Sequence, residues 1–498
     1  MQSFLTRIAK YSIEKHGDKL GDLTLVLPNR RAIVFLKEEF KKELKKASWL
    51  PHFFSLEDFI QQLGNYNLLD PTDLIFKLYK VHQELEGSAA ETFEEFMGWG
   101  TTLLQDFNEI DRYLVDAHEL YGFLTEAKAL ETWNVENNEL TEFQHKYLRF
   151  WNKLGEYYSL FSKQLKAEGA AYQGLGFRSV AESLAKNEAP KNKFENVIFA
   201  GFNALTEAEK GIIEYYVQEH AAETIWDADE YYLNDKFQEA GTFLRDYKAK
   251  AKGTFNWISN DLLTEPKNIT VYGVMGNIGQ AKLIGNLIDA NKERETAVVL
   301  SDESLLIPCL EGLPQGISAT NVTMGYPITS ATVYSWLGCF LDLYLKFNQT
   351  TKKDAFYHKD VTAFLQHNVQ QHFNQAVKKE AEQLTQRMKQ DQSIFVPFTQ
   401  FDALNQALGF TAFGLEKNTA LQLAQTVLKL IQALRLAGKD SLDALNLECL
   451  AELEKSFNRL ERLCLEEKEL TAIENLIEIF KQIVSKQSIS FVGEPLGG

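Results

Sequence analysis

The sequence predicts an α/β fold built from two parallel-sheet modules, each interrupted by a large helical insertion. Short runs rich in β-branched residues alternate with amphipathic segments, an order typical of parallel sheets covered on both faces. Long stretches without proline include 72–189, 328–396 and 398–494. Within these stretches Leu, Glu, Lys, Gln and Phe recur at three-to-four-residue spacing, which indicates amphipathic helices.

The first sheet module is predicted around three β-branched runs that end in turn residues. Each run precedes an amphipathic segment or an acidic turn, as expected for strand–helix units. Thr206 and Glu209 form a capping-box pattern, so a helix is predicted to begin directly after the second run. The predicted strands lie at 23–28, 196–202 and 222–229, a helix follows at 31–46, and the first insertion contains helices at 91–110 and 143–169.

The second sheet module is predicted from three further runs, and a second helical insertion follows it. Gly438 ends one of the insertion's helices, as expected for a residue that terminates helices well. A last predicted strand, at 488–493, lies close to the end of the sequence, so we expect a fragment whose second sheet is unfinished. The predicted strands are 268–273, 296–302 and 319–325, and the helices are 280–291, 331–347, 420–438 and 447–470.

These segments divide the chain into two sheet domains and two insertions. Each sheet domain is expected to be interrupted by its insertion and to resume after it. The first sheet domain is predicted at 1–60 and 190–262 around an insertion at 61–189, and the second at 263–345, with an insertion at 346–487 and a return strand at 488–498.

Charge and composition restrict the possible partners. Lys and Arg number 52 and Asp and Glu 69, a net charge of −17, so nucleic acid can bind only at a local basic channel. No apolar run of about 20 residues occurs, so no membrane partner is expected. Because the four cysteines of the chain are scattered and include no CxxC pair, we predict reduced thiols and a cytoplasmic location.

The motifs for nucleotide hydrolysis are missing from both places where an α/β protein of this kind would carry them. A phosphate-binding loop requires GxxxxGK[ST], and no such string occurs in the chain. The first strand is followed instead by Pro28-Asn29-Arg30-Arg31, which contains no glycine. The strand at 196–202 has Ala200-Gly201 where a magnesium-binding acidic residue would stand. We therefore predict no catalytic residue, no bound nucleotide and no metal in this chain.

Gly273-Val-Met-Gly276-Asn-Ile-Gly279 offers an alternative, a dinucleotide site. It follows a predicted strand, precedes a predicted helix, and has Glu293 and Glu295 about 20 positions later. The spacing is GxxGxxG, however, and lacks the tight GxG that admits a pyrophosphate. A plain strand-to-helix turn is the favoured interpretation, and a cofactor-binding enzyme is the alternative.

Two other patterns have both a functional and a structural interpretation. Asp227 and Asp229 lie two residues apart at a strand end, where they suit a metal or acid–base role or cap the next segment. The lysines of the helix at 31–46 form a solvated face or contact phosphates. They lie at positions 37, 41, 42, 45 and 46, with Glu38, Glu39 and Glu43 between them.

In order, the strand regions resemble those of AddB-type proteins, the helicase-like PD-(D/E)XK-nuclease subunits of double-strand-break repair. The similarity is carried by LTLVLPNRRAIVFLKEEF (23–40), NVIFAGFNALTEAEKGIIEYY (196–216), WDADEYYLNDKFQEAGTFL (226–244) and ITVYGVMGNIGQAKLI (269–284). It continues through TAVVLSD and NVTMGYPITSATVYSWL. The absence of an N-terminal phosphate-binding loop resembles the Bacteroidetes branch. Because the family is related to superfamily 1 helicases, the resemblance implies two RecA-like (P-loop NTPase-like) domains, the second incomplete.

The resemblance also assigns roles to particular residues. Asn29, Arg30 and Arg31 fall where helicases contact single-stranded DNA after the second strand. Phe199 to Phe202 falls at the strand that carries the magnesium-binding acids in active helicases. At 299–302, Ser301 stands where an active helicase has arginine. The terminal SISFVGEPLGG resembles the stretch before motif V, after which the family has its nuclease and that domain's divalent metal.

Three functions remain open at this stage. The leading expectation is a non-catalytic helicase-like protein that guides single-stranded or tailed duplex DNA and scaffolds an AddA/RecB-like motor subunit. The second is an enzyme with a nucleotide or dinucleotide cofactor at the Gly273–Gly279 turn. The third is a protein-interaction scaffold without DNA contact.

Overall fold

The computed structural model divides the chain into two compact units, Met1–Gly273 and Val274–Gly498. It describes residues 2–64, 66–132, 142–186, 188, 194–250, 255, 257–289, 296–314, 316–317, 320–349, 354–415, 419–466, 472–485 and 487–490. No helix in the described ranges is long and apolar enough to cross a bilayer.

The first unit combines a small parallel sheet with a large set of helices. Its strands are β1 Thr24–Leu27, β2 His52–Ser55, β3 Asn67–Leu68, β4 Ala170–Ala171, β5 Val197–Ala200, β6 Glu223–Ile225, β7 Ala228–Asp229 and β8 Ile258–Ser259. Its helices are α1 Phe4–His16, α2 Arg30–Glu43, α3 Leu56–Gly64, α4 Pro71–Glu86, α5 Phe93–Arg112, α6 Ala117–Thr132, α7 Glu142–Ala167, α8 Gln173–Ala185, α9 Glu207–Glu219, α10 Glu230–Asn234, α11 Thr242–Lys250 and α12 Asp261–Thr264.

Four parallel strands form the main sheet, in the order β2-β1-β5-β6. In the central strand, Thr24 lies opposite both His52 and Val197. The predicted strands at 23–28, 196–202 and 222–229 are confirmed, and the predicted helix at 31–46 corresponds to α2. Strand β2 was not predicted because HFFS is short and its first three residues are not fully buried. The α/β prediction with helical insertions is therefore confirmed.

The sheet is covered on both faces, as the continuous apolar sequence of β1 predicts. Helices α1 and α2 pack on one face, against Leu25, Leu27 and Ile198. Helices α3, α8 and α9 pack on the other face, against Val26 and Phe199. The predicted capping box at the start of α9 is also confirmed, because Thr206 and Glu209 each bond to the other's backbone N–H.

A buried histidine joins three segments of the first helical insertion. The backbone N–H of Glu91 donates to Nε2 of His82 (3.0 Å), so in the neutral ring Nδ1 carries the proton. Nδ1 therefore donates to the hydroxyl of Tyr157 (2.7 Å), which in turn donates to Glu86 (3.1 Å). Burial lowers the pKa of His82 below its ordinary value, although Glu86 and Glu91 act in the opposite direction.

This histidine is expected to make the insertion less stable in mild acid. The unfolded histidine has a pKa of about 6.5 and the folded one a lower pKa, so the unfolded state binds more protons below pH 6.5. The stabilisation is thus complete above that pH and is lost as the pH falls toward the folded pKa, by up to about 1.4 kcal/mol per pH unit. Thermal unfolding of the wild type and of His82→Gln between pH 7.5 and 5 measures it. His16 and His367 also have lowered pKa values, but both proteins contain them. An equal loss of stability in the two proteins as the pH falls would therefore show that His82 is not responsible.

The second unit is helical, with short strands in antiparallel pairs. Its helices are α13 Gly276–Asp289, α14 Leu306–Glu311, α15 Thr332–Gln349, α16 His358–Leu365, α17 Gln375–Gln390, α18 Asp402–Leu408, α19 Ala420–Ala437, α20 Ala444–Glu466 and α21 Ile473–Ser485. Its strands are β9 Gly325–Pro327, β10 Ala355–Tyr357, β11 Phe395–Pro397 and β12 Ser488–Ser490. Strand β10 pairs with β11 and β12 with β9, both antiparallel.

The parallel strands predicted for a second sheet are wrong. Residues 268–273 and 296–300 have no regular secondary structure, and from 320 to 327 only β9 is a strand. The predicted return strand exists as β12 over its first three residues, but it is antiparallel to β9; residues 491–498 lie outside the described part. The side chains of Val271 and Val299 are 89% and 90% exposed. β-branched composition favours a strand only where a neighbouring strand and a packing face are available, and neither run has them here.

Candidate nucleic-acid interface

The turn at residues 28–31 leaves the carboxyl end of β1 and begins α2. Asn29 is the N-cap of α2: its backbone is extended, and its side-chain oxygen accepts the Ala32 N–H at 2.9 Å. This cap directs the chain from the sheet edge into the helix within one residue. Asn29, Arg30 and Arg31 are all exposed. The three predicted nucleic-acid-binding residues therefore lie together on the surface.

The turn lies at the point where the sheet connections diverge. After β1 the chain continues into α2 on one face of the sheet, whereas after the neighbouring β5 it continues into α9 on the other face. Adjacent parallel strands with connections to opposite faces leave a crevice at their carboxyl ends, where ligands of open α/β sheets bind. The fold thus places Arg30 and Arg31 beside the usual ligand position.

A carboxylate holds Arg30. Its Nε donates to Oδ2 of Asp58 (2.9 Å) and its Nη2 to Oδ1 (2.5 Å), a bidentate pair between the first turns of α2 and α3. The hydroxyl of Ser55, the last residue of β2, donates to Oδ2 of Asp58 (2.7 Å). The Arg30 guanidinium and the Ser55 hydroxyl lower the pKa of Asp58, against the effect of burial. Sequence reasoning missed Asp58 because only the pairing of β1 with β2 brings α3 next to α2.

The N-terminal segment of the chain carries a net positive charge. Residues 1–46 contain eleven Lys and Arg against six Asp and Glu, a net of +5 in a chain of net charge −17. Most lysines at the far end of α2 are paired locally: Lys41 with Glu38 (3.6 Å), Lys42 with Glu39 (2.6 Å) and Lys46 with Asp18 (2.5 Å). Lys37 lies over the Phe53 ring, 5.4 Å from its centre. The solvated-face interpretation of these lysines therefore describes them better than a row of phosphate contacts.

The carboxyl edge lacks the geometry of a phosphate-binding loop. Such a loop uses glycines so that successive backbone N–H groups surround a phosphate. Here the Asn29 side chain accepts one of the N–H groups at the start of α2. Gly201 follows β5 and has a φ of +77°, and the ring of Phe4 would lie 3.0 Å from a Cβ atom there. The Phe4 ring therefore packs against the position where an active nucleotide hydrolase would have its magnesium-binding acidic residue.

Two interpretations were considered for the Asp227–Asp229 pair, a functional and a structural one. The hydrogen bonds of Asp229 support the structural interpretation. Its Oδ1 accepts the Tyr231 N–H at 2.9 Å and caps α10. Its Oδ2 accepts from the Ser259 hydroxyl (3.0 Å) and from the Leu262 N–H (3.1 Å). These donors join β7 to β8 and lower the pKa of Asp229 despite its burial. The described residues contain no cluster of three or more His, Cys, Asp or Glu that could hold a metal ion.

The Gly273–Gly279 turn loses the context that a dinucleotide site needs. Helix α13 begins at Gly276, but the preceding residues 268–273 are not a strand. Val274, Met275 and Ile278 around the turn are exposed, and Glu293 and Glu295 lie outside the described residues. Gly276 has a left-handed φ of +66°, and a Cβ at Gly279 would lie 2.9 Å from the Val274 side chain, so the geometry of the turn itself accounts for these glycines.

An open surface depression of about 630 Å³ lies in the second unit, between the start of α15 and the end of α16, and contains a serine–histidine pair. Nε2 of His367 lies 2.8 Å from the Ser335 hydroxyl. The Val369 N–H donates to Nδ1 (3.3 Å), so in the neutral ring Nε2 carries the proton and donates to the serine. A histidine in that form cannot take the serine proton, so the pair is not an activated nucleophile.

A loop hydrogen-bonded to Arg245 displays an aromatic side chain that sequence reasoning did not single out. Phe237 is 80% exposed, and the Lys236 ammonium lies 5.1 Å from the centre of its ring. Arg245 holds the loop by donating to the carbonyl oxygens of Tyr232 (2.6 Å) and Asp235 (2.9 Å), and also to those of Lys236 and Gln238. The loop follows β7 and α10 in the chain.

The sequence matches no protein-family model, and no curated protein matches it. The interpretation of the site therefore depends on its own geometry, namely two exposed arginines at the carboxyl edge of a parallel sheet, one of them held by Asp58.

Proposed function

We propose that this chain is a non-catalytic, helicase-like protein of the AddB type that binds one strand of single-stranded or tailed duplex DNA. Its contact is the carboxyl edge of the sheet in the first unit, through Asn29, Arg30 and Arg31. It guides that strand and scaffolds a motor subunit of the AddA/RecB kind in double-strand-break repair.

The observation that carries the proposal is the position of the two arginines. They lie exposed at the topological switch point of a parallel sheet, where α/β proteins bind ligands. Guanidinium groups bind phosphate through paired N–H donors and also stack on bases. The turn has neither the glycines of a nucleotide-binding loop nor an acidic residue opposite, on β5, for magnesium. Binding without hydrolysis is the chemistry that these residues support.

Charge and aromatic display support the same ligand. An acidic body with a basic N-terminal segment confines polyanion binding to that segment. Phe237 and Lys236 offer an exposed ring beside an ammonium group, the combination that binds single strands by base stacking and phosphate contact. Single-stranded nucleic acid offers phosphates for the basic segment and bases for the exposed ring.

Replacing both arginines with alanine is expected to weaken DNA binding at least about tenfold, because two phosphate contacts are lost. The slope of log K against log salt should become shallower by at least about 0.7, the contribution of one phosphate contact on a single strand, since the Arg30 charge is already compensated by Asp58 before binding. Fluorescence anisotropy with a tailed duplex, titrated at low and physiological salt, measures both quantities. Circular dichroism confirms that the variant is folded.

The matched control is Lys41→Ala/Lys42→Ala, which removes the same charge from the same helix. Both lysines are paired with glutamates of α2, so their removal should change affinity less than threefold, as expected for screened surface charges. If both double variants weaken DNA binding equally, binding depends only on the net charge of the chain, and the proposal is contradicted. DNA affinity that does not depend on salt, or no DNA binding at low salt, would favour the protein-interaction scaffold. Thermal stabilisation by NAD(P) or ATP would favour the cofactor-binding enzyme.

A further inference from the structure

The Asp58 carboxylate occupies the edge of the Arg30 guanidinium that a phosphate would use. Two parallel N–H donors of Arg30, Nε and Nη2, both point to the carboxylate of Asp58. A phosphate binds arginine through the same fork of two parallel donors. Carboxylate and phosphate are therefore alternative partners for one edge of this side chain.

Asp58 is held in place independently of Arg30. Ser55 donates its hydroxyl to Oδ2 of Asp58 (2.7 Å) and accepts the Asp58 backbone N–H (3.2 Å), so the carboxylate is fixed at the start of α3. The Asp58 side chain is 27% exposed and the Arg30 side chain 77% exposed. The acid is thus the anchored partner, and the arginine is the group that can turn toward another anion without loss of packing.

We propose that Asp58 is an internal competitor for the nucleic-acid phosphate at Arg30, which restrains the affinity of the interface. This inference rests on the proposed function, because it concerns the same arginine. Binding of a strand exchanges the carboxylate for a phosphate, so the guanidinium is neutralised both before and after binding. Arg30 then contributes little counterion release while Asp58 is present, and Asp58 sets how strongly a strand is held.

Asp58→Asn removes the competing charge and keeps the size of the side chain and an acceptor for the Ser55 hydroxyl. The variant is expected to bind tailed DNA about tenfold more tightly, since Arg30 no longer exchanges one anion for another. Its salt dependence should steepen by about 0.7, the contribution of one newly uncompensated phosphate contact. A purely structural role of Asp58 would not produce that change of slope.

Glu57→Gln is the matched control, because Glu57 is the other acid in the first turn of α3. Its carboxylate accepts from Gln173 (3.0 Å) and makes no hydrogen bond to Arg30 in the structure. This variant changes the net charge equally and should alter affinity less than about twofold, as expected for an exposed charge that acts on Arg30 only at a distance. Equal tightening by Glu57→Gln and Asp58→Asn would overturn the inference in favour of a general charge effect.

The double variant Arg30→Ala/Asp58→Asn separates this inference from the proposed function. Without Arg30 the aspartate has nothing to compete for, so the double variant should bind with the affinity of Arg30→Ala alone. If Arg30→Ala fails to weaken binding, both the proposed function and this inference are wrong. If Arg30→Ala weakens binding but Asp58→Asn leaves affinity and salt slope unchanged, the inference alone is wrong. Circular dichroism of each variant verifies folding, and anisotropy with the tailed duplex supplies the affinities.

Discussion

Replacing Asp111 with alanine is expected to destabilise the first helical insertion by about 3–5 kcal/mol, the usual effect of removing one partner of a buried ion pair. Asp111 is fully buried near the end of α5. Its carboxylate lies 2.9 Å from Nε of Arg178 on α8, and it accepts hydrogen bonds from the hydroxyls of Tyr158 on α7 and Tyr172. One side chain therefore links three helices and the segment before α8.

The effect comes from the groups that the substitution would leave without a partner. Burial raises the pKa of Asp111, although both tyrosine hydroxyls and Arg178 act to lower it, so the charged carboxylate adds little net stability by itself. After its removal, a largely buried guanidinium would lose its counter-charge and two hydroxyls would lose their acceptor. Arg178 would keep only its bonds to the carbonyl oxygens of Val115 (2.5 Å) and Ile110 (3.3 Å) and its pair with Glu182.

Native-state hydrogen exchange of α5 and α8 measures this change in local stability. The control is Glu109→Ala, two residues earlier, whose side chain is exposed and pairs only loosely with Arg112 (3.3 Å). That substitution should change local stability by less than about 0.5 kcal/mol. Equal loss of protection in the two variants would show that Asp111 has no special role in holding the helices together.

Replacing Trp336 with alanine is expected to destabilise the second unit by about 3–5 kcal/mol, because the largest side chain is removed from a packed core. Trp336 lies in α15 and is completely buried. Its ring centre is 5.8 Å from that of Phe364 on α16 and 5.9 Å from that of Phe373. Alanine would leave a cavity among aromatic rings, which cannot collapse without moving a whole helix.

Trp49→Ala is a control with the same chemical change. The Trp49 side chain is 88% exposed, so its removal should alter stability by less than about 0.5 kcal/mol. Calorimetric unfolding of the full chain shows which transition each variant shifts. Trp336→Phe should have a smaller effect than Trp336→Ala, because it keeps a ring and removes an indole N–H that has no hydrogen-bond partner among the described residues. Similar melting of both alanine variants would contradict the packing described for α15.

Much of the first unit could be predicted because its elements are specified locally. The continuous apolar run of β1, the capping box at Thr206 and the periodic helices of the insertion each depend on residues close together in the chain. The site turn is local in the same way, since Asn29 caps the helix that carries Arg30 and Arg31. The sequence therefore sufficed to predict that Asn29, Arg30 and Arg31 lie together where a strand passes into a helix, but not that Asp58 holds Arg30.

The second sheet was predicted wrongly because a strand is not a local structure. The run at 268–273 has the composition of a buried parallel strand, yet it has no partner strand in the described residues, and Val271 remains exposed. A helix satisfies its backbone groups within itself, whereas a strand needs a neighbour to do so. Composition alone could not show that this neighbour is missing.

By itself, the sequence determined the helices, the caps and the central strands, and it showed that the hydrolysis motifs are missing. Each of these features depends on residues that lie close together in the chain. Only the tertiary structure decided the strand order β2-β1-β5-β6, and with it which helix starts lie side by side. That order brings Asp58 within hydrogen-bonding distance of Arg30 across 28 positions of sequence. Pairing between distant segments depends on which apolar faces are buried together, and no pattern within either segment records that choice.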